Sequence, residues 1–211
     1  DAFPKPLTAW SLVRGRTLWV STQGDDGGDG TEEAPFRNIS RGLAEARDGD
    51  WVVVRGGDYP EAPAGEYRAL LFEDDARGVT ITAYQGEKVT VRPGAEGINY
   101  GADIGTDDVV INGIDFVGFP RGTILIGRQG RTVRNVVLSN VSVEIHEEGN
   151  VDGIDMIPEN GGEPVVKGVL FHRVRVVGAT IGIQCNHGPC EDLRFEGVYV
   201  ENALGQGSGS D

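Results

Sequence analysis

Features that build helical or membrane proteins are scarce in this sequence. It has one Met and three Lys among 211 residues, and long helical patterns are rare. No apolar run approaches the roughly 20 residues that cross a bilayer, so we predict no membrane span. No signal peptide is present and Asp1 is not an initiator, so we expect a mature or trimmed chain.

Basic residues are also few. Lys and Arg total 19 against 33 Asp and Glu, which gives a formal net charge of -14. Such a surface repels phosphate backbones, so nucleic acid is not expected as a partner. An acidic ligand would need a local Arg patch or a bound divalent cation to offset the repulsion. In the alternative interpretation, the acidity only aids solubility.

Only two cysteines occur, Cys185 and Cys190, and they enclose a short loop that contains His187. A local disulfide is geometrically plausible and suits an exported protein, so we predict a secreted or periplasmic location. Zinc binding by both cysteines and His187 is an alternative, but it lacks the second pair of ligands typical of structural zinc sites. Free thiols are the third alternative.

Glycine, by contrast, is abundant, at 33 of 211 residues. That is about twice the average share of roughly 7%. Glycine tolerates positive φ, so a glycine-rich chain without helical patterns favours strands joined by tight turns. A hydrophobic content of 38% argues against disorder. The length fits one domain.

A sequence repeat predicts the fold. Four segments align without gaps behind a weaker first copy, and their starts fall 30, 27, 33 and 24 residues apart. Each copy holds two short strands of period two, and a third strand follows, as at residues 124–126, 154–156 and 181–183. Three strands per coil predict an all-β right-handed parallel β-helix. A leucine-rich repeat, the main rival, would need a Leu and Asn ladder plus helices. The copies start at Gly78, Asp108, Asn135, Gly168 and Asp192.

The alternation within each copy predicts which side chains fill the interior. Inward positions recur at equivalent places in the four full copies, and nearly all are aliphatic or aromatic. Stacked coils should therefore bury one continuous column. The predicted inward residues are Val109, Ile111, Ile114, Phe116, Val136, Leu138, Val141, Val143, Val169, Phe171, Val174, Val176, Leu193, Phe195, Val198 and Val200.

The two ends of the chain differ. Residues 18–20 form a predicted strand, residues 36–46 have the apolar spacing of a helix with Asn38 near its start, and Asp50 precedes the next strand. We assign one domain over residues 1–211, with residues 1–61 as cap and first coil and residues 62–211 as further coils. No capping element follows at the C-terminal end. An uncovered end invites aggregation, so we expect further chain or a partner there.

Residues 19–61 resemble the opening of pectate-lyase-like β-helix proteins. That opening has a strand, a Gly- and Asp-rich loop, Thr-x-x-x-Pro-Phe, a helix, a Gly-Asp strand and Gly-x-Tyr, and here Thr31, Phe36 and Tyr59 occupy matching positions. The resemblance implies the β-helix fold and an extracellular carbohydrate-active protein. Members of the superfamily include polysaccharide lyases, many of them calcium-dependent, and some structural proteins.

The densest group of candidate site residues lies within residues 146–155. Glu147, Glu148, Asp152 and Asp155 supply hard oxygen ligands of the kind that calcium takes, six to eight at a time. Asp155 lies between two predicted inward residues and should face outward. We therefore predict a calcium site or a catalytic site here. The alternative is a solvated acidic turn that leads into a strand.

The stretch 150–155, Asn-Val-Asp-Gly-Ile-Asp, resembles the signature of polygalacturonase-type hydrolases, in which Asp152 would be catalytic. Glycoside hydrolysis uses two carboxylates, one protonated and one ionised. The following Asp-Asp pair of that family is missing, since the next coil reads Ala-Thr-Ile-Gly-Ile-Gln-Cys over residues 179–185.

The same stretch is similar to a segment of calcium-dependent pectate lyases. Lyases remove the C5 proton of a uronate with a Lys or Arg base. Lys167 and Arg175 are the nearest basic residues on the next coil, and His187 could bind a sugar hydroxyl or act as an acid. Surface solvation is the alternative role for both basic residues.

Two further groups could bind ligands. Arg128, Arg131 and Arg134 cluster before the second full copy and could receive uronate or sulfate groups, or could simply be solvated. The loop at residues 24–30 carries Asp25, Asp26 and Asp29, which could bind calcium, although a flexible turn is favoured over an EF-hand-like site.

The leading interpretation is a secreted β-helix that acts on an acidic polysaccharide as a calcium-assisted lyase. Its catalytic candidates are Asp152, Asp155, Lys167, Arg175 and His187, and its calcium ligands are drawn from the acidic group of residues 147–155. One alternative is a non-catalytic surface or glycan-binding β-helix. Another is a glycoside hydrolase that uses Asp152 and Asp155.

Overall fold

A computed structural model describes residues 15–73, 77–127, 131–146, 151–157, 165–186 and 188–201. These residues form one α-helix, a short 3-10 turn at Tyr84–Gly86 and nineteen strands. In chain order the elements are β1 (Thr17–Val20), α1 (Ile39–Glu45), β2 (Trp51–Val54), β3 (Gly57–Glu61), β4 (Arg68–Phe72), β5 (Thr80–Ala83), β6 (Val89–Pro93), β7 (Tyr100–Ile104), β8 (Val110–Asn112), β9 (Ile114–Val117), β10 (Gly122–Ile126), β11 (Val133–Ser139), β12 (Ser142–Glu144), β13 (Asp152–Met156), β14 (Val166–His172), β15 (Arg175–Val177), β16 (Ile181–Cys185), β17 (Cys190–Glu191), β18 (Arg194–Glu196) and β19 (Tyr199–Glu201).

The strands pair in parallel into three sheets, and from β2 to β16 the chain gives strands to sheets A, B and C in turn. Sheet A has the order β1-β2-β5-β8-β11-β14-β17, with β18 also paired to β14. Sheet B has the order β3-β6-β9-β12-β15-β19, and sheet C the order β4-β7-β10-β13-β16. The predicted right-handed parallel β-helix is therefore confirmed.

The interior is the continuous apolar column that the repeat predicts. In sheet A, Ile111 pairs in register with Leu138, and Leu138 with Phe171, and all three are fully buried. The inward positions of the first three full copies are all buried as predicted. In the last copy, Phe195 and Val200 keep the predicted register but are 52% and 44% exposed, because no described coil covers them.

The residue that starts each copy has a conformational reason for its identity. Asp108, Asn135 and Asp192 have φ values of 65°, 57° and 54°, and Gly78 and Gly168 occupy the same register position with φ of 75° and 70°. Only Gly, Asn and Asp adopt this left-handed conformation at little cost. The left-handed conformation at these five positions, just before β5, β8 and β18 and within β11 and β14, therefore favours these three residue types.

The N-terminal end is closed by α1, as predicted. Asn38 is the N-cap residue, but its side chain does not cap the helix, because its amide donates instead to Asp26. The helix amides of Ile39 and Ser40 donate to the two carboxylate oxygens of Glu61, at 2.6 and 3.1 Å. Glu61 is fully buried, so this cap lies inside the first coil.

The acidic loop at residues 24–30 serves the same cap. Asp26 accepts the backbone N–H groups of Arg37 and Asn38, each at 2.9 Å, and Asp25 accepts that of Gly27. The loop is therefore a hydrogen-bonded turn that holds the helix start. The sequence favoured a turn here over calcium binding, and calcium binding stays the alternative.

The disulfide prediction is confirmed, because Cys185 and Cys190 are bonded, with their Cα atoms 6.2 Å apart. The bond joins the end of β16 to the start of β17. Within the described ranges, no helix combines the length and apolar character that crossing a membrane requires.

Candidate functional site

The exterior of sheet C carries the two carboxylates that the sequence singles out. Asp152 pairs in register with Gly122 and Ile181, and Asp155 with Leu125 and Gln184, so both lie on β13. Between them Gly153 and Ile154 face the interior. The Asp-Gly-Ile-Asp spacing thus places two inward residues between two outward carboxylates.

Packing explains the glycine in this motif. A Cβ added at Gly153 would lie 2.5 Å from Val176 Cγ1, a fully buried core atom of sheet B, and would also clash with the Gly182 carbonyl. The same inward position is Gly101 in β7, where a Cβ would lie 2.9 Å from the buried Phe116 ring. Core packing therefore requires a glycine at position 153, whether or not the motif also resembles a hydrolase signature.

Asp152 is distinguished by its partial burial and its hydrogen bonding. Burial raises its pKa, and a hydrogen bond from Gln184 partly offsets that rise. Its Oδ1 atom is buried, with no hydrogen-bond partner in the part of the chain that the structure describes. A half-buried carboxylate with a spare acceptor is suited to a proton, a sugar hydroxyl or a cation.

Asp155 differs from Asp152 in exposure. It lies in the outward row of sheet C, as predicted, but the residue is only 5% exposed. Burial in an outward row means that neighbouring chain covers this carboxylate. Asp155 is therefore enclosed, whereas Asp152 is partly exposed.

The predicted base candidates lie on other sheets. Lys167 is on β14 in sheet A, where its amine pairs with Glu191 at 2.9 Å and with Asp192 at 3.6 Å. The hydrogen bond with Glu191 is the main cause that raises the pKa of Lys167, which is opposite to what a base requires. Arg175 is exposed on β15 in sheet B, between Ser142 and Tyr199.

Other candidates are partly accounted for by structural contacts. Arg131 lies 3.9 Å from Asp107, and the backbone N–H of Arg134 donates to the same carboxylate. Glu147, Glu148, His187 and Arg128 lie outside the described residues.

The described residues do not by themselves form a calcium site. They contain no group of three or more His, Cys, Asp or Glu side chains that could hold a metal ion. Two of the predicted ligands, Glu147 and Glu148, are outside that part of the chain. The calcium site therefore stays a prediction.

Sequence reasoning missed the other end of the sheet C exterior. Arg68 on β4 and Tyr100 on β7 are register partners, in the same outward row as Asp152, and Tyr67 packs beside them. Strands β4 and β7 fall outside the aligned copies, so no repeat indicated them. The register of the coils is the only signal that joins these residues to Asp152.

The sequence matches one protein family and one curated relative. The profile of the family described as "Protein of unknown function (DUF1565)" matches residues 22–158. The "Uncharacterized protein YwoF" of Bacillus subtilis (strain 168) is 31% identical over 77 residues, which are 36% of this chain and 16% of that protein. The chain thus spans a small part of this curated relative.

Two solved structures have similar folds. Pectate lyase Pel9A matches with a TM-score of 0.65 and 13% identity, over 96% of this chain and 58% of that one. A rhamnogalacturonan lyase matches with a TM-score of 0.51 and 11% identity, over 92% of this chain and 64% of that one. These likenesses confirm the pectate-lyase-like β-helix fold, and the chain covers under two thirds of each structure.

Proposed function

Because the chain belongs to the DUF1565 family and has a pectate-lyase-like β-helix fold, we propose that it is a carbohydrate-active protein that acts on a polysaccharide at the exterior of sheet C. The supporting observation is the pair of carboxylates on β13, Asp152 and Asp155, which two inward residues hold on one outward face. A glycan chain running along the coils would cross that face.

The reaction we propose first is calcium-assisted elimination on an acidic polysaccharide. Asp152 fits a cation, since it has a buried carboxylate oxygen without a hydrogen-bond partner among the described side chains. Calcium, when bound, would neutralise the carboxylate of a uronate. Asp152 would orient the cation, and Gln184, which hydrogen-bonds to it, would fix the carboxylate's position.

A second candidate is glycoside hydrolysis, which the raised pKa of Asp152 favours. Burial shifts this carboxyl toward its protonated form, as a general acid requires. Asp155, on the same strand, would be the second carboxyl of the pair. This reaction needs no Lys or Arg base, and the described basic residues Lys167 and Arg175 lie on other sheets.

The experiment incubates the protein with polygalacturonate, alginate and glycosaminoglycans, with and without calcium. Ultraviolet absorbance of unsaturated uronate that requires calcium supports elimination. Reducing sugar without that absorbance supports hydrolysis. Binding without any product would favour the alternative of a non-catalytic glycan-binding surface protein. The absence of both binding and product would refute a carbohydrate-active role.

A matched pair of variants locates the site. Asp152→Asn should abolish product formation. Asp115→Asn should leave it unchanged, although Asp115 is also an outward carboxyl whose pKa burial raises, because it lies on sheet B. Equal loss in both variants would contradict the placement of the site on sheet C.

A further inference from the structure

An exposed aromatic side chain stands near the N-terminal end of the sheet C exterior. Tyr67 directly precedes β4 and is 45% exposed. The guanidinium of Arg68 lies over its ring at 4.0 Å, and the ring of Tyr100 meets it edge-on, with centroids 5.9 Å apart. Contacts from two coils therefore hold the ring in place, which lowers the entropy cost of binding to it.

Two carboxylates balance the positive charge of Arg68 beside this ring. Arg68 Nε lies 2.5 Å from Asp103, and another guanidinium nitrogen lies 3.2 Å from Glu66. One cation shared by two carboxylates has no excess positive charge for an anion. The patch instead offers an aromatic surface and carboxylate oxygens that accept hydrogen bonds.

A cleft opens beside the same group. It lies between α1 and β4, with a volume of about 260 Å³, and Leu43, Pro63, Leu71 and Glu66 are among its lining residues. Its walls are mainly apolar and include the carboxyls of Glu66 and Glu73. Glu66 belongs to both the cleft and the Arg68 pair.

We propose that Tyr67, Tyr100 and the Arg68 carboxylate pairs form a binding subsite for a neutral sugar residue, distinct from the Asp152 site. This inference rests on the proposed function, because it places a second part of the same glycan on sheet C. The apolar face of a pyranose ring packs on Tyr67. Its hydroxyl groups donate to Glu66 and Asp103.

The spacing makes this subsite dependent on ligand length. Arg68 and Asp152 are three strands apart in sheet C. At about 4.8 Å per strand, the separation is about 14 Å. A disaccharide cannot reach both places, whereas a hexasaccharide can. The Tyr67 subsite excludes uronates, because Glu66 and Asp103 would repel a further carboxylate.

The experiment measures the binding of cellohexaose and xylohexaose by calorimetry, in calcium-free buffer, to the wild type and to Tyr67→Ala. Loss of the ring should weaken binding about fivefold or more. Tyr67→Phe, which keeps the ring, should bind like the wild type. The matched control is Tyr84→Ala, since Tyr84 also has an Arg guanidinium over its ring, at 5.0 Å, but lies at the end of a sheet A strand.

The outcomes separate this inference from the proposed function. Binding of oligogalacturonate hexamer with calcium should be lost in Asp152→Asn and kept in Tyr67→Ala, because the Tyr67 subsite excludes uronates. Neutral hexamers that bind the wild type and Tyr67→Ala equally would overturn the subsite alone. A wild type that binds no neutral hexamer would overturn it too, while uronate binding would preserve the proposed function. Circular dichroism confirms that each variant is folded.

Discussion

The buried cap made by Glu61 gives a stability prediction that can be worked from the structure. Its two carboxylate oxygens accept the amides of Ile39 and Ser40 at 2.6 and 3.1 Å, and the residue is fully buried. Glu61→Ala would leave both amides without these acceptors. Each hydrogen bond to a charged group is worth about 1.5–3 kcal/mol.

Relief of the buried charge offsets part of that loss. We expect Glu61→Ala to lower the free energy of unfolding by about 2–4 kcal/mol. For a chain of this size, that corresponds to a fall in melting temperature of roughly 5–15 °C. The measurement is thermal and urea unfolding followed by circular dichroism at neutral pH.

The control and the pH dependence sharpen this test. Glu87 also accepts a backbone amide, that of Gly56 at 2.6 Å, but at the surface, so Glu87→Ala should cost much less. Burial raises the pKa of Glu61 above its ordinary value of 4.5, so its ionised form opposes folding. Wild-type stability relative to Glu61→Gln should therefore fall as pH rises above 4.5. A Glu61→Ala variant within about 0.5 kcal/mol of the wild type would refute the buried cap.

Three further predictions concern individual side chains along the coils. Asp50→Asn should destabilise by about 1–3 kcal/mol. Burial opposes ionisation of Asp50, but hydrogen bonds from Arg16 and from the Arg47 amide outweigh burial and lower the pKa of Asp50. The destabilisation by Asp50→Asn should therefore be full at neutral pH and shrink as pH falls below 3.8. A destabilisation that grows in acid would contradict this. Gly153→Ala should cost about 1–3 kcal/mol by overpacking against Val176, measured by urea unfolding, and a neutral result would show that Gly153 does not face the core. Thr123→Val should stabilise by about 1 kcal/mol in the same assay, because the buried Thr123 hydroxyl has no partner in the described part of the chain, and a loss of stability would reveal one.

The repeat predicted the apolar interior because the alternation of inward and outward side chains depends only on the sequence within each coil. Alternation fixes which side chains face inward, so Val109, Val136 and Val169 could be aligned from the sequence alone. The predicted helix also followed from local apolar spacing. Its true cap, Glu61, could not be predicted, because a coil closure 22 residues later brings that carboxylate to Ile39.

The candidate site was only half visible in the sequence for the same reason. Asp152 and Asp155 are close in sequence and share one strand, so their outward placement could be read locally. Lys167 and Arg175 are nearby in sequence, yet the corners turn them onto sheets A and B. Tyr67 was missed for the opposite reason. It is distant from Asp152 in sequence, but the stacked coils place it beside the same exterior of sheet C.

The most direct test of the central claim is a crystal structure of the protein soaked with calcium and oligogalacturonate. The sheet C assignment predicts a sugar chain lying along the coils, with a uronate or a cation in contact with the Asp152 carboxylate. A ligand bound only on sheet A or sheet B, with Asp152 untouched, would contradict the claim.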